Sequence, residues 1–193
     1  MTKTRLEAFS DGVIAILITI MVLELKVPHG ASWEALHPAL ETLATYALSF
    51  AVVGIYWVNH HHMLHTVRDV NGKIMWANLH LLFWLSLVAF VTAWVNETGF
   101  SNIAVAAYGV DMIMCAISYQ ILGRVIKKGH TLHPRLSEVL HRNGPKEWAS
   151  TALYVSSVPL AFVEPAISCV IYVLVPLVWI MPNKEIEKAL GES

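Results

Sequence analysis

Four polar side chains sit where an apolar chain gives them little water: Ser10, Asp11, His60 and Asn78. Asp11 is the sharpest of them. A charged Asp at membrane depth costs about 2.5–3.5 kcal/mol on insertion scales, so it needs a partner or water. It opens the twelve-residue run Gly12–Leu23 (GVIAILITIMVL), with Ser10 beside it as a further hydroxyl. About 20 apolar residues are needed to cross a bilayer facing lipid, and runs of 10–14 usually belong to buried, re-entrant or signal segments. A short span with Ser and Asp in its first turn belongs inside a bundle, near water, which is where a pore-lining helix sits. Candidate partners for Asp11 at matching depth are His60, at the end of the second apolar segment, and Asn78, near the start of the third. Arg5 falls six residues earlier, at the interface. A purely structural polar knot that holds helices together accounts for the same residues.

At 100° per residue, Phe9, Gly12, Ile16, Thr19, Ile20 and Leu23 share one helical face. The stripe is branched and apolar, with one hydroxyl. It reads either as ordinary core packing or as a pore wall with a hydrophobic constriction, since narrow apolar rings gate by losing water.

Two other constellations invite different chemistry. In His60-His61-His62-x-x-His65, His61 and His65 are spaced i, i+4 and share a face, as metal-binding pairs do. With His130, His133 and His141 they would form the boxes of a membrane di-iron enzyme. The box spacing is poor, however, and only Asp69 lies nearby as an acidic ligand. Asp111, among Tyr108, Met112 and Cys115, would serve a proton-coupled transporter, or would simply bond a neighbouring span. No Gly-rich phosphate loop, nucleophile elbow, Cys-x-x-Cys or Thr-Val-Gly-Tyr-Gly filter is present.

The elements that must position these residues are membrane helices. Only 14% of the 193 residues are charged, 56% are hydrophobic, and mean hydropathy is +0.56. A soluble domain carries about 25% charge, so the deficit settles the class as integral membrane, and the absence of an alternating strand pattern or barrel length makes the spans helices, an all-α protein. A net charge of −1 implies no bulk attraction to nucleic acid. Cys115 and Cys169 lie in apolar runs and read as packing residues. Six spans separate at polar punctuation, at about 6–25, 36–58, 74–95, 103–126, 148–163 and 166–181, with Glu164-Pro165 as a tight turn between the last two. Of 13 Lys and Arg residues, 12 fall on one side and Lys26 alone on the other, which places both termini in the cytoplasm. Glu7, Asp11 and the lack of a small-x-small site argue that the first span is retained rather than cleaved as a leader. The polar stretch Gly129–Pro145 reads as a cytoplasmic connector with one helical turn around Arg135–His141.

Arg5-x-x-x-Phe9-Ser10-Asp11 resembles the signature that opens the first helix of the transmembrane protein 175 family, lysosomal potassium channels and their prokaryotic homologues. The match continues through Gly12–Glu24, Trp57-x-x-His60 and Trp76-Ala-Asn78-Leu. It covers the whole chain as one six-span domain, residues 1–193. The resemblance implies a homotetramer around a central pore lined by the first helix. It implies potassium-permeable cation conduction without a conventional selectivity-filter loop, and neither enzyme activity nor a cofactor beyond the permeant potassium ion. The implied partners are further copies of the chain, membrane lipid and monovalent cations, in a prokaryotic cell membrane. Carried over by position, the constriction falls on Ile16, Ile20 and Leu23, and Thr19 is the hydroxyl linked to selectivity. Arg5, Phe9, Ser10, Asp11, His60 and Asn78 would orient the pore helix. One departure is visible: where many relatives carry a Leu-Pro-Phe-like step in the third span, this chain reads Val88-Ala89-Phe90.

Overall fold

The computed structural model describes residues 2–67, 69–129 and 144–180. Six α-helices account for most of them: α1 Lys3–Met21, α2 Trp33–His65, α3 Gly72–Glu97, α4 Asn102–Gly129, α5 Gly144–Val163 and α6 Pro165–Ile180. A 3₁₀ turn, Val22–Glu24, closes α1. The turn expected around Arg135–His141 lies outside the described residues, as do Arg68, His130 and His133.

Local chemistry explains most of the boundaries. Ser32 Oγ accepts the Ala35 N–H at 3.3 Å and caps α2, and Asn71 Oδ1 accepts the Ile74 N–H at 3.0 Å and caps α3. After α3 the chain reverses through Gly99 and Phe100, both at positive φ (58° and 62°), with the Phe100 N–H returning to Val95 O at 2.9 Å. Glycine takes that conformation freely and closes many helices. Glu164 alone separates α5 from α6, and Pro165 occupies the first helical position of α6, where its missing N–H costs nothing.

The second helix departs most from its expected range. It continues seven residues past Val58, through the whole His60–His65 segment. Histidines mark the exit from the apolar layer, but nothing in that segment breaks a helix. The third helix runs unbroken through Val88–Phe90.

Among the described residues, four helical segments are long and apolar enough to cross a membrane: α1 with its 3₁₀ turn, α2, α3 and α4. The apolar α6 is shorter, at 16 residues.

Packing follows chain order only in part, since α2 also meets α6. The first helix lies against α2 and α3, α3 against α4, and α4 against both α5 and α6. Leu81, Leu85 and Val88 of α3 and Met112, Leu122 and Ile126 of α4 are fully enclosed. In lipid, such contact works through close packing and interhelical hydrogen bonds, because hydrocarbon is as apolar as the side chains themselves. Gly109 illustrates the close approach. A Cβ there would overlap the Tyr172 hydroxyl of α6, which donates to Val105 O at 2.9 Å and lies 3.1 Å from Ser157 Oγ of α5.

Candidate functional site

The two faces of α1 differ sharply. Leu6, Ser10, Ile14, Leu17 and Met21 are buried against the bundle, at the three-and-four spacing of one helical side. The opposite side is uncovered: Phe9 is 49% exposed, Ile16 58%, Ile20 48% and Leu23 76%. Gly12 and Thr19 share that exposed side. Leu23 belongs to the 3₁₀ turn, where residues three apart eclipse, so it stacks over Ile20 rather than drifting around the helix. Thr19 Oγ1 donates its hydrogen to Ile16 O at 2.8 Å. The hydroxyl oxygen therefore keeps its lone pairs on the uncovered side.

A buried triad fixes which way α1 faces. Asn78 Nδ2 of α3 donates to Ser10 Oγ of α1 at 2.9 Å, and Asn78 Oδ1 lies 2.6 Å from His60 Nε2 of α2. Ser10 in turn donates to Leu6 O at 2.9 Å. The chain of donors assigns the histidine tautomer. Ser10 has spent its hydrogen on the backbone, so it accepts from the Asn78 amide; the amide oxygen then points at His60, which must carry its proton on Nε2. All three side chains are fully enclosed.

Asp11 stands apart from this triad. Its Oδ1 accepts the indole N–H of Trp57 at 2.8 Å, not a bond from His60 or Asn78 as the sequence led us to expect. One residue beyond Ser10, it is turned 100° around the helix toward the outer side of α2. Trp57 lies three residues before His60, so α1 is held to α2 directly through Asp11–Trp57 and to α3 through Ser10–Asn78, with His60 of α2 bonded to Asn78 from behind. That spacing is the signal the sequence offers for Trp57 as a partner. Arg5 is exposed and makes no bond to the triad. Phe9 lies on the uncovered stripe rather than in the polar network. The first turn is tied instead by Lys3, whose Nζ donates to His65 O at 2.7 Å and lies 3.8 Å from Glu7.

The histidine segment forms a ring stack. His61 lies 6.3 Å from both Trp57 and His65 and 6.0 Å from His62, centroid to centroid. Among the described residues no three His, Cys, Asp or Glu side chains converge as a metal site would require. Asp111 is buried, and neither of its carboxyl oxygens has a hydrogen-bond partner among the described residues, in place of the interhelical bond expected for it.

A polytopic helical subunit with one uncovered helix face and a buried anchor behind it is the class these features define. Residues 5–88 match the family model described as the endosomal/lysosomal potassium channel TMEM175. A potassium channel of Chryseobacterium sp. (strain P1-3) is 52% identical over 193 residues, covering 100% of both chains. One from Streptomyces collinus is 36% identical over 183 residues, 90% of this chain and 89% of its own. The crystal structure of a lysosomal potassium-selective channel TMEM175 homologue from Chamaesiphon minutus matches with a TM-score of 0.77 and 26% identity, over 93% of this chain and 96% of that one. The chain belongs to the TMEM175 family. That family consists of channels, not enzymes, and bacterial relatives together with four spanning-length helices mark a prokaryotic membrane protein.

Proposed function

We propose that four copies of this chain assemble around an axis lined by α1 and form a potassium-permeable cation channel. The observation that carries this reading is the contrast between the two faces of α1. The buried face is pinned by the Ser10–Asn78–His60 triad, and the bare face is the Ile16, Thr19, Ile20, Leu23 stripe. The potassium-channel names of its full-length bacterial relatives support the same activity.

In a fourfold assembly each level of the stripe becomes a ring. Rings of Ile16, Ile20 and Leu23 give a permeating ion no ligand in exchange for its water, so they conduct only when widened. The Thr19 ring differs, because its hydrogens are held by the Ile16 carbonyls and four oxygens remain to face a cation. All six helices span the membrane in this arrangement, both termini are cytoplasmic, and lipid surrounds the outer helices.

Reconstitution into a planar bilayer tests the reading directly. The expected result is unitary current carried by potassium, from a protein whose cross-linked ladder ends at four subunits. Monomers alone, or a silent bilayer with intact tetramer, would overturn it.

A further inference from the structure

At the end of the bundle marked by His60, α2, α4, α5 and α6 do not close on one another. They leave a cavity of about 60 Å³ that shares no residue with α1. A water needs only about 10–15 Å³ of such space, so the cavity has room for a small polar group. Its wall is graded. Asn59, Gln120, Glu147 and Trp179 belong to the outer turns of their four helices, and Ile55 and Val175 lie one turn further in. A phospholipid carries the same gradient, with its headgroup outward and its hydrocarbon inward.

The polar part of the wall spends its donors on the protein. Asn59 Nδ2 donates to Ile55 O at 2.8 Å, Gln120 Nε2 to Thr151 Oγ1 at 2.9 Å, and the Trp179 indole to Ser150 Oγ at 2.9 Å. The Tyr119 hydroxyl donates to Asn59 O at 3.4 Å. Those bonds leave acceptor capacity behind, on Asn59 Oδ1 and on the Glu147 carboxylate. Tyr56 and Tyr154 add hydroxyl oxygens and ring faces, both attractive to an ammonium. Among the described residues that line the cavity there is no Lys, Arg or His.

Cations stand at its rim instead. Arg124 Nη2 donates to Gln120 Oε1 at 3.1 Å, and Lys146 Nζ lies 4.3 Å from the centre of the Trp179 ring. A guanidinium has five donors and an ammonium three, more than these contacts use. Acceptors inside, cations at the rim and apolar turns beneath fit one ligand chemistry: an ammonium joined to a phosphate joined to hydrocarbon. We propose that the cavity in each subunit takes the headgroup of a phosphatidylethanolamine-class lipid. Its ammonium donates to Glu147 and Asn59 Oδ1, its phosphate accepts from Arg124 and Lys146, and its chains follow Ile55 and Val175. So seated, the lipid ties α2 to α5 and α6 across the gap between them.

The test uses the full-length protein in detergent, incubated with dioleoyl lipids that differ only in headgroup. Native mass spectrometry counts the lipid that stays bound. Phosphatidylethanolamine should be retained over phosphatidylglycerol, which has no ammonium, and over phosphatidylcholine, whose nitrogen has no N–H. Retention should fall stepwise through the N-methyl and N,N-dimethyl forms. Glu147→Gln should lower phosphatidylethanolamine retention about tenfold, the loss of one charge-assisted hydrogen bond, and leave phosphatidylglycerol unchanged. If Glu147→Gln fails to fold, the methylation series on wild-type protein decides alone. Equal retention of every headgroup would mean a non-selective lipid shell and overturn the site. A preference for phosphatidylglycerol would mean that the rim cations act alone, and would overturn it too. Either result leaves the channel reading untouched, because the cavity and the α1 stripe have no residue in common.

Discussion

Ser10 and Asn78, 68 positions apart in the chain, meet at 2.9 Å with neither side chain open to solvent. Because successive residues on a helix are 100° apart, this bond fixes the rotation of α1. Turning α1 by one residue would present Asp11 to Asn78, carry Ala15 and Ile18 into the core and swing Ile14 and Leu17 out of it.

Removing the centre of the triad should therefore weaken the subunit. Asn78→Leu leaves the Nε2–H of His60 without an acceptor, a loss of about 1–3 kcal/mol for a stranded buried group. Ser10→Ala should cost less, since it deletes its own hydroxyl and leaves only the Asn78 amide unmatched. Melting of the detergent-solubilised protein reads both. A wild-type melting temperature for Asn78→Leu would show that the triad does not hold α1.

Asp11 calls for a different experiment. Asp11→Asn keeps an oxygen for the Trp57 indole and removes one negative charge per subunit near the start of α1. Cation conductance should fall, and fall more in dilute salt, because the screening length grows from about 10 Å at 0.1 M to about 30 Å at 0.01 M. Unitary conductance in two potassium chloride concentrations is the measurement. An equal fractional loss in both would mean that permeating ions do not sense this carboxylate.

Within the stripe, Ile16→Asn should wet the ring that we propose is the narrowest and raise conductance. Thr19→Val removes the one ring of oxygens at nearly constant volume, and should mainly change the potassium-to-sodium preference. Single-channel recordings with reversal potentials in mixed salts separate the two effects. Unchanged conductance in Ile16→Asn would place the barrier elsewhere.

Gly109→Ala tests the packing that supports α4, α5 and α6. The added methyl collides with the Tyr172 hydroxyl, and overpacking of this kind costs about 1–3 kcal/mol. Tyr172→Phe removes that hydroxyl, so the double variant should recover part of the loss, a coupling that a double-mutant cycle on thermal unfolding would detect. Additive losses would show that the two residues do not meet.

Much of this molecule is legible from its residues alone. Apolar runs separated by polar and Pro/Gly punctuation locate all six helices, because in a membrane the backbone has few other ways to satisfy its N–H and C=O groups. The uncovered stripe follows from period alone, since a helix buried on one side shows its remaining residues on the other. Helix ends are harder: His60-His61-His62 marks a change of solvent, and α2 runs on because histidine does not break a helix. Pairing is harder still. Asp11 finds Trp57 rather than His60 because partner choice depends on the relative rotation of two helices, which no periodicity encodes. That Asp111 finds no hydrogen-bond partner among the described residues is of the same kind: a carboxyl's partners come from neighbouring helices whose side chains cannot be placed from its own.

The packing of the bundle has a mechanical consequence. In the proposed assembly α1 leans on α2 and α3, while α5 and α6 pack on α4 and α6 also touches α2, so the helices farthest from the axis act as an outrigger. A change in membrane thickness or tension would act first on that outer hull. It could reach the proposed gating stripe only as strain relayed through α2 and α3, so the stiffness of those two helices would set how well the proposed ion path is insulated from the lipid around it.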